Sequence, residues 1–283
     1  MPTDLKSLIG VHRDLPASEY HLLQGASASR LMKLWSSTPA HLKLQLSEGF
    51  EPTPSMIIGT LGHALVLEPD RQLPKVIVIP ETYPTEEGDK KWSGNAKFCK
   101  TWIAERKQQG CIPLSKSDYD NALGAARALT THPNVAPILT DCETELTLIT
   151  WDQTNDVGVR CRLDIKPGSQ FPFLADCKFT ASVNERKFKK QIWDMGYHIQ
   201  AALNLRVWNE LNGSEDLKTG FKFFAVENKE PFDVRVFSLT PALIEKGWEA
   251  VIRLLPIYAQ CERTGVWTGS SADEVECDVP AYA

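Results

Sequence analysis

The chain has 283 residues, of which 42% are hydrophobic and 24% charged, and its formal net charge is −5. No apolar run approaches the roughly 20 residues that span a bilayer, and the N-terminus lacks the basic-then-apolar order of a signal peptide, so we expect a cytoplasmic protein with no membrane partner. The net negative charge argues against a protein that binds nucleic acid over most of its surface, but not against an enzyme with a local basic channel.

The first half of the chain is predicted to be mainly helical. Ser27 precedes helical periodicity that runs to Trp35, and Thr38-Pro39 ends or restarts that helix. Further helices are predicted over residues 59–68, closed by Pro69, and over 91–107 and 115–130, with a short strand at 75–79 and a polar, mobile loop at 81–90. Residues 1–26 are expected to form a flexible N-terminal segment of a single domain that covers residues 1–283.

The second half changes to strands. Residues 145–151, 157–165 and 172–179 predict an antiparallel meander, with turn signals at Asn155-Asp156 and Pro167-Gly168-Ser169. A helix over 194–211, strands at 221–226 and 233–238, and a helix over 241–262 follow. This order predicts an α/β fold with a mixed central sheet flanked by helices.

The seven cysteines form no recognisable metal or disulfide pattern. Their number is odd and no Cys-x-x-Cys pair occurs, whereas zinc and iron–sulfur sites usually need closely spaced thiolates. We therefore predict separate reduced thiols. Because no Gly-x-Gly-x-x-Gly, phosphate-loop lysine or Gly-x-Ser-x-Gly motif occurs, nucleotide hydrolysis and serine chemistry lack support.

Three charged residues in the meander point to catalysis. Asp176 and Lys178 share a strand face, and a hairpin around residues 167–169 would bring Asp164 near Asp176. Burying such charges costs free energy, so charged residues in an apolar strand suggest that they take part in a functional site. Two carboxylates can hold magnesium ions that activate a water and stabilise a phosphodiester during displacement, and a lysine can position that water. Spacing alone favours the alternative, a salt bridge at a strand end.

These residues resemble the signature of the PD-(D/E)XK nucleases, with Asp164 in the first acidic place, Asp176 in the second and Lys178 in the lysine place. Four further motifs, in the right order, resemble those of RecE-type exonucleases (exonuclease VIII) and, more distantly, RecB-type nuclease domains: the serine helix from Ser27 to Pro39, the histidine motif from Gly59 to Pro69, Glu145, and the helix motif Tyr197-His198-Ile199-Gln200. One departure is Asn204, where related enzymes often have a tyrosine.

The resemblance implies a restriction-endonuclease-like core, magnesium as the cofactor with manganese as a substitute, and a role for each matched residue. Asp164 and Asp176 would be metal ligands, His63 would complete the metal site or contact the scissile phosphate, and Lys178 would assist the nucleophilic water. Glu145 would support these ligands or bind another ion. Gln200 and Tyr197 would orient DNA or Lys178, whereas His198 is expected to be structural.

Basic residues near the site are candidates for DNA contact, although each also has a structural interpretation. Arg160 and Arg162 share a strand face with Asp164 and can pair with it or with phosphate. The basic run at 186–190 is either a solvated face or a contact to the DNA backbone. The candidate DNA-binding residues are Tyr197, Arg160, Arg162, Lys187, Lys189 and Lys190. Trp92, Trp102 and Trp193 are expected in the core or an interface.

The resemblance implies a magnesium-dependent exonuclease that degrades linear double-stranded DNA from 5′ to 3′. It would leave 3′ single strands for an annealing protein of the RecT type, in a phage or prophage recombination system inside a bacterial host, and it would form a ring-shaped homo-oligomer around DNA ends. Two alternatives stay open: a RecB-type single-strand nuclease or endonuclease of the same fold, and a non-catalytic scaffold that binds DNA ends during recombination.

Overall fold

The computed structural model describes residues 5–48, 53–68, 75–213, 215–272, 274 and 276. Its strands are β1 (Gly10–His12), β2 (Ala26–Ser27), β3 (Val76–Val78), β4 (Thr82–Tyr83), β5 (Lys90–Lys91), β6 (Ile112–Leu114), β7 (Cys142–Asp152), β8 (Val157–Pro167), β9 (Phe173–Thr180), β10 (Gly220–Glu227) and β11 (Val234–Ser238). Its helices are α1 (Ala17–Leu22), α2 (Ala28–Ser36), α3 (Pro39–Glu48), α4 (Pro54–Leu67), α5 (Lys97–Gln108), α6 (Lys116–Thr131), α7 (Ala136–Leu139), α8 (Glu185–Asp194), α9 (Tyr197–Asn212) and α10 (Pro241–Thr264). Among these residues, no helix combines the length and apolarity that a membrane span requires.

A mixed sheet of seven strands is the centre of the fold. Its order is β1-β7-β8-β9-β10-β11, and the short β2 runs parallel to β8. The strands β7, β8 and β9 form the predicted antiparallel meander, β10 lies parallel to β9, and β11 returns antiparallel. Helices pack on both faces. The predicted mixed sheet flanked by helices is therefore confirmed.

The core is divided between the two faces of this sheet. On one face, Leu174 and Phe223 belong to a buried cluster that includes residues of α2, α9 and α10. On the other face, Ala175 and Phe224 belong to a cluster with residues of α4 and α6. Because successive strand side chains point to opposite faces, central strands covered on both sides are apolar at nearly every position. In β9 the charged exceptions to this pattern are Asp176 and Lys178.

Most helix boundaries follow from local signals in the sequence. Ser27 caps α2, with its side chain accepting a hydrogen bond from the Arg30 backbone N–H, and α3 restarts at Pro39. The helix predicted over 194–211 is α9, which begins at Tyr197, whereas α8 before it was not predicted; Gly196 separates the two helices and adopts a φ of +72°. That left-handed conformation suits glycine and interrupts a continuous helix.

Two other segments differ from the predictions. The segment predicted as a mobile loop at 81–90 contains β4, which pairs with β5, and α5 begins at Lys97 rather than near residue 91. The segment expected to be flexible packs against the sheet from residue 5 onward, where Leu5, Tyr20 and Leu23 are buried with Ile149. The predicted helix end at Pro69 lies outside the described residues.

A buried lysine holds the turn between β8 and β9. The Lys218 Nζ donates to the carbonyl oxygens of Gly168 (3.3 Å) and Phe171 (2.8 Å) and lies 2.8 Å from Asp216 Oδ1. Its side chain is 0% exposed, and a buried ammonium is stable only when its donors are satisfied. The predicted hairpin around residues 167–169 is therefore fixed by a residue that follows α9 in the chain.

Replacing this lysine tests how strongly it holds the turn. We expect Lys218→Met to lower the free energy of unfolding by about 3–5 kcal/mol, because Asp216 and the turn carbonyls lose a buried charged partner. Urea unfolding followed by tryptophan fluorescence measures the change. Lys229→Met is the control, since Lys229 is exposed, and it should alter stability by less than about 0.5 kcal/mol. Similar small effects for both variants would show that the ammonium does not fix the turn.

Candidate active site

Helix α4 brings His63 to the sheet. Thr53 caps the helix, and Gly62 allows an approach to β9 so close that a Cβ atom there would lie 2.3 Å from Phe179 Cε1. On the next residue, His63 Nδ1 lies 3.4 Å from Asp164 Oδ2, and the imidazole ring lies 5.3 Å from the Phe179 ring, centroid to centroid. The position of the imidazole thus depends on the absence of a side chain at Gly62.

Asp164 lies where β8 and β9 separate. The register pairs Ile165 with Ala175, which places Asp164 opposite Asp176, as the sequence predicts. Asp164 Oδ2 accepts a hydrogen bond from the Cys177 backbone N–H at 3.0 Å. In a regular ladder, a backbone carbonyl of β8 would accept this hydrogen bond. Here the Asp164 carboxylate accepts it instead, so the Cys177 amide keeps a partner at the point where the two strands separate.

Glu145 completes a cluster of three possible metal ligands. The ligand atoms of His63, Glu145 and Asp164 all lie within 4.8 Å of one another. Glu145 has a φ of +55°, a conformation that costs a non-glycine residue about 1–2 kcal/mol, and its carboxylate accepts a hydrogen bond from Arg162 Nε. One imidazole and two carboxylates form a donor set that suits a divalent cation.

Asp176 and Lys178 form a second group beside this cluster. Lys178 Nζ lies 2.5 Å from Asp176 Oδ1 and donates to Gln200 Oε1 at 3.1 Å. Gln200 Nε2 in turn donates to Asp176 Oδ2. The ammonium also lies 4.5 Å from the centre of the Tyr197 ring. Two residues of α9 therefore hold the aspartate–lysine pair of β9 in one arrangement.

The electrostatics of the cluster favour added positive charge. Burial, and then the Asp176 carboxylate, raise the pKa of Asp164 well above its usual range, and burial raises the pKa of Glu145 despite its pairing with Arg162. Burial lowers the pKa of His63 to about 4, so its ring is neutral near pH 7 and can act as a ligand. A divalent cation bound here would stabilise the ionised carboxylates.

Lys178 keeps its charge in this environment. Burial alone would lower the pKa of Lys178, but the nearby Asp176 and Asp164 carboxylates outweigh it and raise the pKa. Without a metal ion, the ammonium is thus the cation that balances the aspartates. The salt bridge that we considered as an alternative to a catalytic role is present, but it lies beside a metal-type cluster rather than at an isolated strand end.

His63 and Glu145 line a cavity of about 670 Å³ between α1, α4 and the sheet. Glu68, at the C-cap of α4, also lines it, and its charge contributes to the raised pKa of Glu145. Glu68 was not among the predicted site residues, and its spacing of five residues from His63 does not place the two on one helix face. Its carboxylate makes the cavity more acidic than the predicted site residues alone.

The two candidate arginines have different surroundings. Arg162 lines the cavity and pairs with Glu145. Arg160 is only 4% exposed, donates to the Tyr20 carbonyl oxygen at 3.0 Å and packs 4.3 Å from the centre of the Tyr20 ring. Arg160 thus holds the N-terminal segment and is not accessible to phosphate in this conformation, in contrast to the prediction. The partner of Arg162 is Glu145 rather than Asp164.

The remaining candidates lie on the helices that follow β9. The exposed Lys187, Lys189 and Lys190 are on α8, where Lys189 and Lys190 form ion pairs along the helix; their contact with DNA stays a prediction. Asn204 is buried in α9, and the ring against Lys178 is that of Tyr197. The aromatic contact to Lys178 is thus made by Tyr197, nearer the start of the helix than the position at which related enzymes often carry a tyrosine.

The tryptophans and the histidine that we expected to be structural pack against other rings. Trp92 and Trp102 meet edge to face at 5.4 Å. Trp193, which is 44% exposed, stacks on the buried His198 at 4.6 Å. These rings stabilise the protein away from the cluster.

Comparisons with known proteins support the nuclease-like architecture. The family model described as "PDDEXK-like domain of unknown function (DUF3799)" matches residues 27–279. A crystal structure of a "putative exonuclease" from Eubacterium rectale superposes with a TM-score of 0.63 over 95% of this chain and 97% of that chain, at 11% sequence identity. No curated protein matches. At this identity the structural likeness concerns the fold alone.

Gly62 offers a test of how α4 is placed. We expect Gly62→Ala to lower the free energy of unfolding by about 1–3 kcal/mol, because the new methyl group overlaps the Phe179 ring. Gly59→Ala is the matched control on the same helix, since its methyl group would make an ordinary contact 3.9 Å from Phe179 Cβ; it should be neutral or stabilise by up to about 1 kcal/mol. Urea unfolding distinguishes the two, and equal losses would contradict the proposed close approach.

The cluster itself predicts a response to divalent ions. We expect Mg²⁺ or Mn²⁺ to raise the melting temperature of the parent, with about 2.7 kcal/mol of stabilisation at 100 times Kd. Asp164→Asn keeps an acceptor for the Cys177 amide but removes a charged ligand, so most of this rise should be lost. Asp120→Asn, on the exposed surface of α6, should respond like the parent. A full response in Asp164→Asn would show that the ion binds elsewhere.

Proposed function

The chain belongs to the PDDEXK-like family DUF3799, within the PD-(D/E)XK nuclease superfamily, and we propose that it is a metal-dependent exonuclease acting on linear double-stranded DNA. The observation that carries this proposal is the juxtaposition of two groups at the opening of the sheet. One is the ligand cluster of His63, Glu145 and Asp164, and the other is Asp176 with Lys178 and Gln200. If the pair of Asp176 and Lys178 were only a structural salt bridge, it would not need a cluster of carboxylates and an imidazole beside it.

The residues present fit a divalent ion, and we propose magnesium, with manganese as a substitute. His63, Glu145 and Asp164 would hold it, and Asp176 would join them as predicted from the family resemblance. When bound, such an ion polarises a phosphodiester and lowers the pKa of a coordinated water. The protein supplies a neutral imidazole and crowded carboxylates, and a bound cation would favour the ionised form of these carboxylates by displacing the proton that their raised pKa values favour.

Lys178 would act directly on the reacting groups. Its ammonium is held by Asp176, Gln200 and the face of the Tyr197 ring, so its direction is set before substrate binds. A fixed ammonium can orient the attacking water or stabilise the negative charge that develops on phosphate. Gln200 acts as a positioning residue because its amide bridges both members of the pair.

The finer assignments rest on the order of RecE-type motifs. We propose that digestion runs from 5′ to 3′ and leaves 3′ single strands for an annealing protein of the RecT type. We also propose a ring-shaped homo-oligomer at DNA ends, which would suit processive digestion. A phage or prophage recombination system in the cytoplasm of a bacterial host is the setting that these properties suit.

End-labelled linear duplex DNA tests the activity and its direction. With Mg²⁺, the parent should release label from the 5′ end before the 3′ end. Lys178→Met should slow digestion by about 100-fold or more, because a preorganised charge at the phosphate is removed. Asp120→Asn, exposed and remote on α6, should digest at the parental rate.

Each alternative gives a different outcome in the same assay. Earlier loss of 3′ label would reverse the polarity, and cutting of closed circles would indicate an endonuclease. Preference for single strands would favour a RecB-type activity. DNA binding without metal-dependent cleavage would leave the scaffold as the function.

A further inference from the structure

The N-terminal segment upstream of residue 27 is anchored beside the active-site cavity. β1 forms an edge of the sheet beside β7, and Tyr20 is buried with Leu5, Leu23 and Ile149. From the sheet below, Arg160 donates to the Tyr20 carbonyl oxygen and Arg162 Nη1 donates to the Leu15 carbonyl oxygen, each at 3.0 Å. The segment is thus held on both sides of α1, by apolar packing and by two hydrogen-bonded cations.

This anchoring places one side of α1 on the cavity. Ala17, Ser18 and His21 line the cavity that also contains His63 and Glu145. Ala17 and His21 are one helical turn apart and therefore share a face, whereas Leu22 is 82% exposed and does not line the cavity. The opposite side is formed by α4, through Met56, Gly59 and Thr60. The cavity is therefore a cleft with α1 and α4 as its two walls.

We propose that α1 is a substrate-binding wall, on which Ser18 and His21 contact the sugar–phosphate backbone of the nucleic-acid strand that enters the active site. The proposal rests on the nuclease function above and adds a binding element that lies upstream of the family match at residues 27–279. Both residues are exposed, so their polar groups are available to a ligand in the cleft.

The chemistry of the wall suits a phosphate backbone near an acidic cluster. Burial, and then Arg160 and Arg162, lower the pKa of His21, so the imidazole is neutral at neutral pH. A hydroxyl and a neutral imidazole can donate hydrogen bonds to phosphate oxygens without attracting the carboxylates of Glu68 and Glu145. Such contacts position a strand without reading its bases.

Substitutions on α1 test the wall directly. In an Asp176→Asn background, which should bind DNA without cutting it, His21→Ala should weaken binding of a fluorescent linear duplex by about 5-fold, the loss of one neutral hydrogen bond. Ala17→Trp should weaken it further by filling the cleft. Leu22→Trp is the matched control, with the same bulk on the same helix but outside the cavity, and it should bind like the background protein.

The kinetics separate a binding wall from a structural helix. In the otherwise unchanged chain, His21→Ala should raise KM while kcat and the melting temperature stay close to those of the parent. Its neutral contact should leave the salt dependence of binding unaltered, because no counterion is released. Ala17→Trp is the second variant for this comparison. A melting temperature equal to that of Leu22→Trp would show that any change in KM comes from the filled cleft and not from a loss of stability.

The possible results are distinguishable. If the parent digests DNA but His21→Ala and Ala17→Trp bind and cut like Leu22→Trp, the wall proposal is overturned and the nuclease function stands. If His21→Ala lowers kcat and the melting temperature together without a change in KM, α1 is structural and the proposal is again overturned. If the parent neither binds nor cuts DNA, the proposed function fails and the wall proposal fails with it.

Discussion

The hydrogen bond from the Cys177 amide to the Asp164 carboxylate sets the position of the whole site. Two strands can part inside a sheet only if the released backbone groups find other partners. Here the side chain of Asp164 serves as that partner, so the carboxylate is held at the opening rather than free to turn away. His63 and Glu145 lie around the two oxygens of this carboxylate. The turn between β8 and β9, which Lys218 holds, keeps the two strands aligned next to the opening.

The site keeps its charges balanced before any ion or DNA binds. Glu145 pairs with Arg162, and Asp176 pairs with Lys178, whereas Asp164 interacts with the Lys178 charge without a direct ion pair to it. Asp164 instead depends on an amide hydrogen bond and has a raised pKa. Asp164, which has no direct ion pair and lies next to a neutral imidazole, is therefore the carboxylate that an incoming cation can bind most readily. To bind the same ion, Glu145 and Asp176 would have to weaken their ion pairs with Arg162 and Lys178.

Short-range patterns in the sequence predicted much of this arrangement, and long-range contacts account for the rest. The hairpin that joins Asp164 to Asp176 followed from turn residues and strand alternation, and Gln200 was expected beside Lys178 from its family motif. The helix α8 was not predicted, because the basic run at 186–190 was interpreted only as a charged surface, and the burial of Phe188 and Ile192 depends on residues distant in sequence. The burial of Arg160 depends on Tyr20, which is distant in sequence, and Glu68 meets Glu145 only after α4 packs on the sheet. No local pattern carries such information.

The backbone of Glu145 is strained, but its side chain makes an ion pair that offsets the strain. Its left-handed backbone would suit glycine, and a glycine there would relieve about 1–2 kcal/mol of strain. It would also remove a like-charge neighbour from Asp164. However, a glycine would also leave the part-buried Arg162 without its carboxylate partner, at a cost of about 3–5 kcal/mol that exceeds the relief of strain. The ion pair with Arg162 thus holds a left-handed residue inside a regular strand, and the same carboxylate is thereby kept within reach of His63 and Asp164.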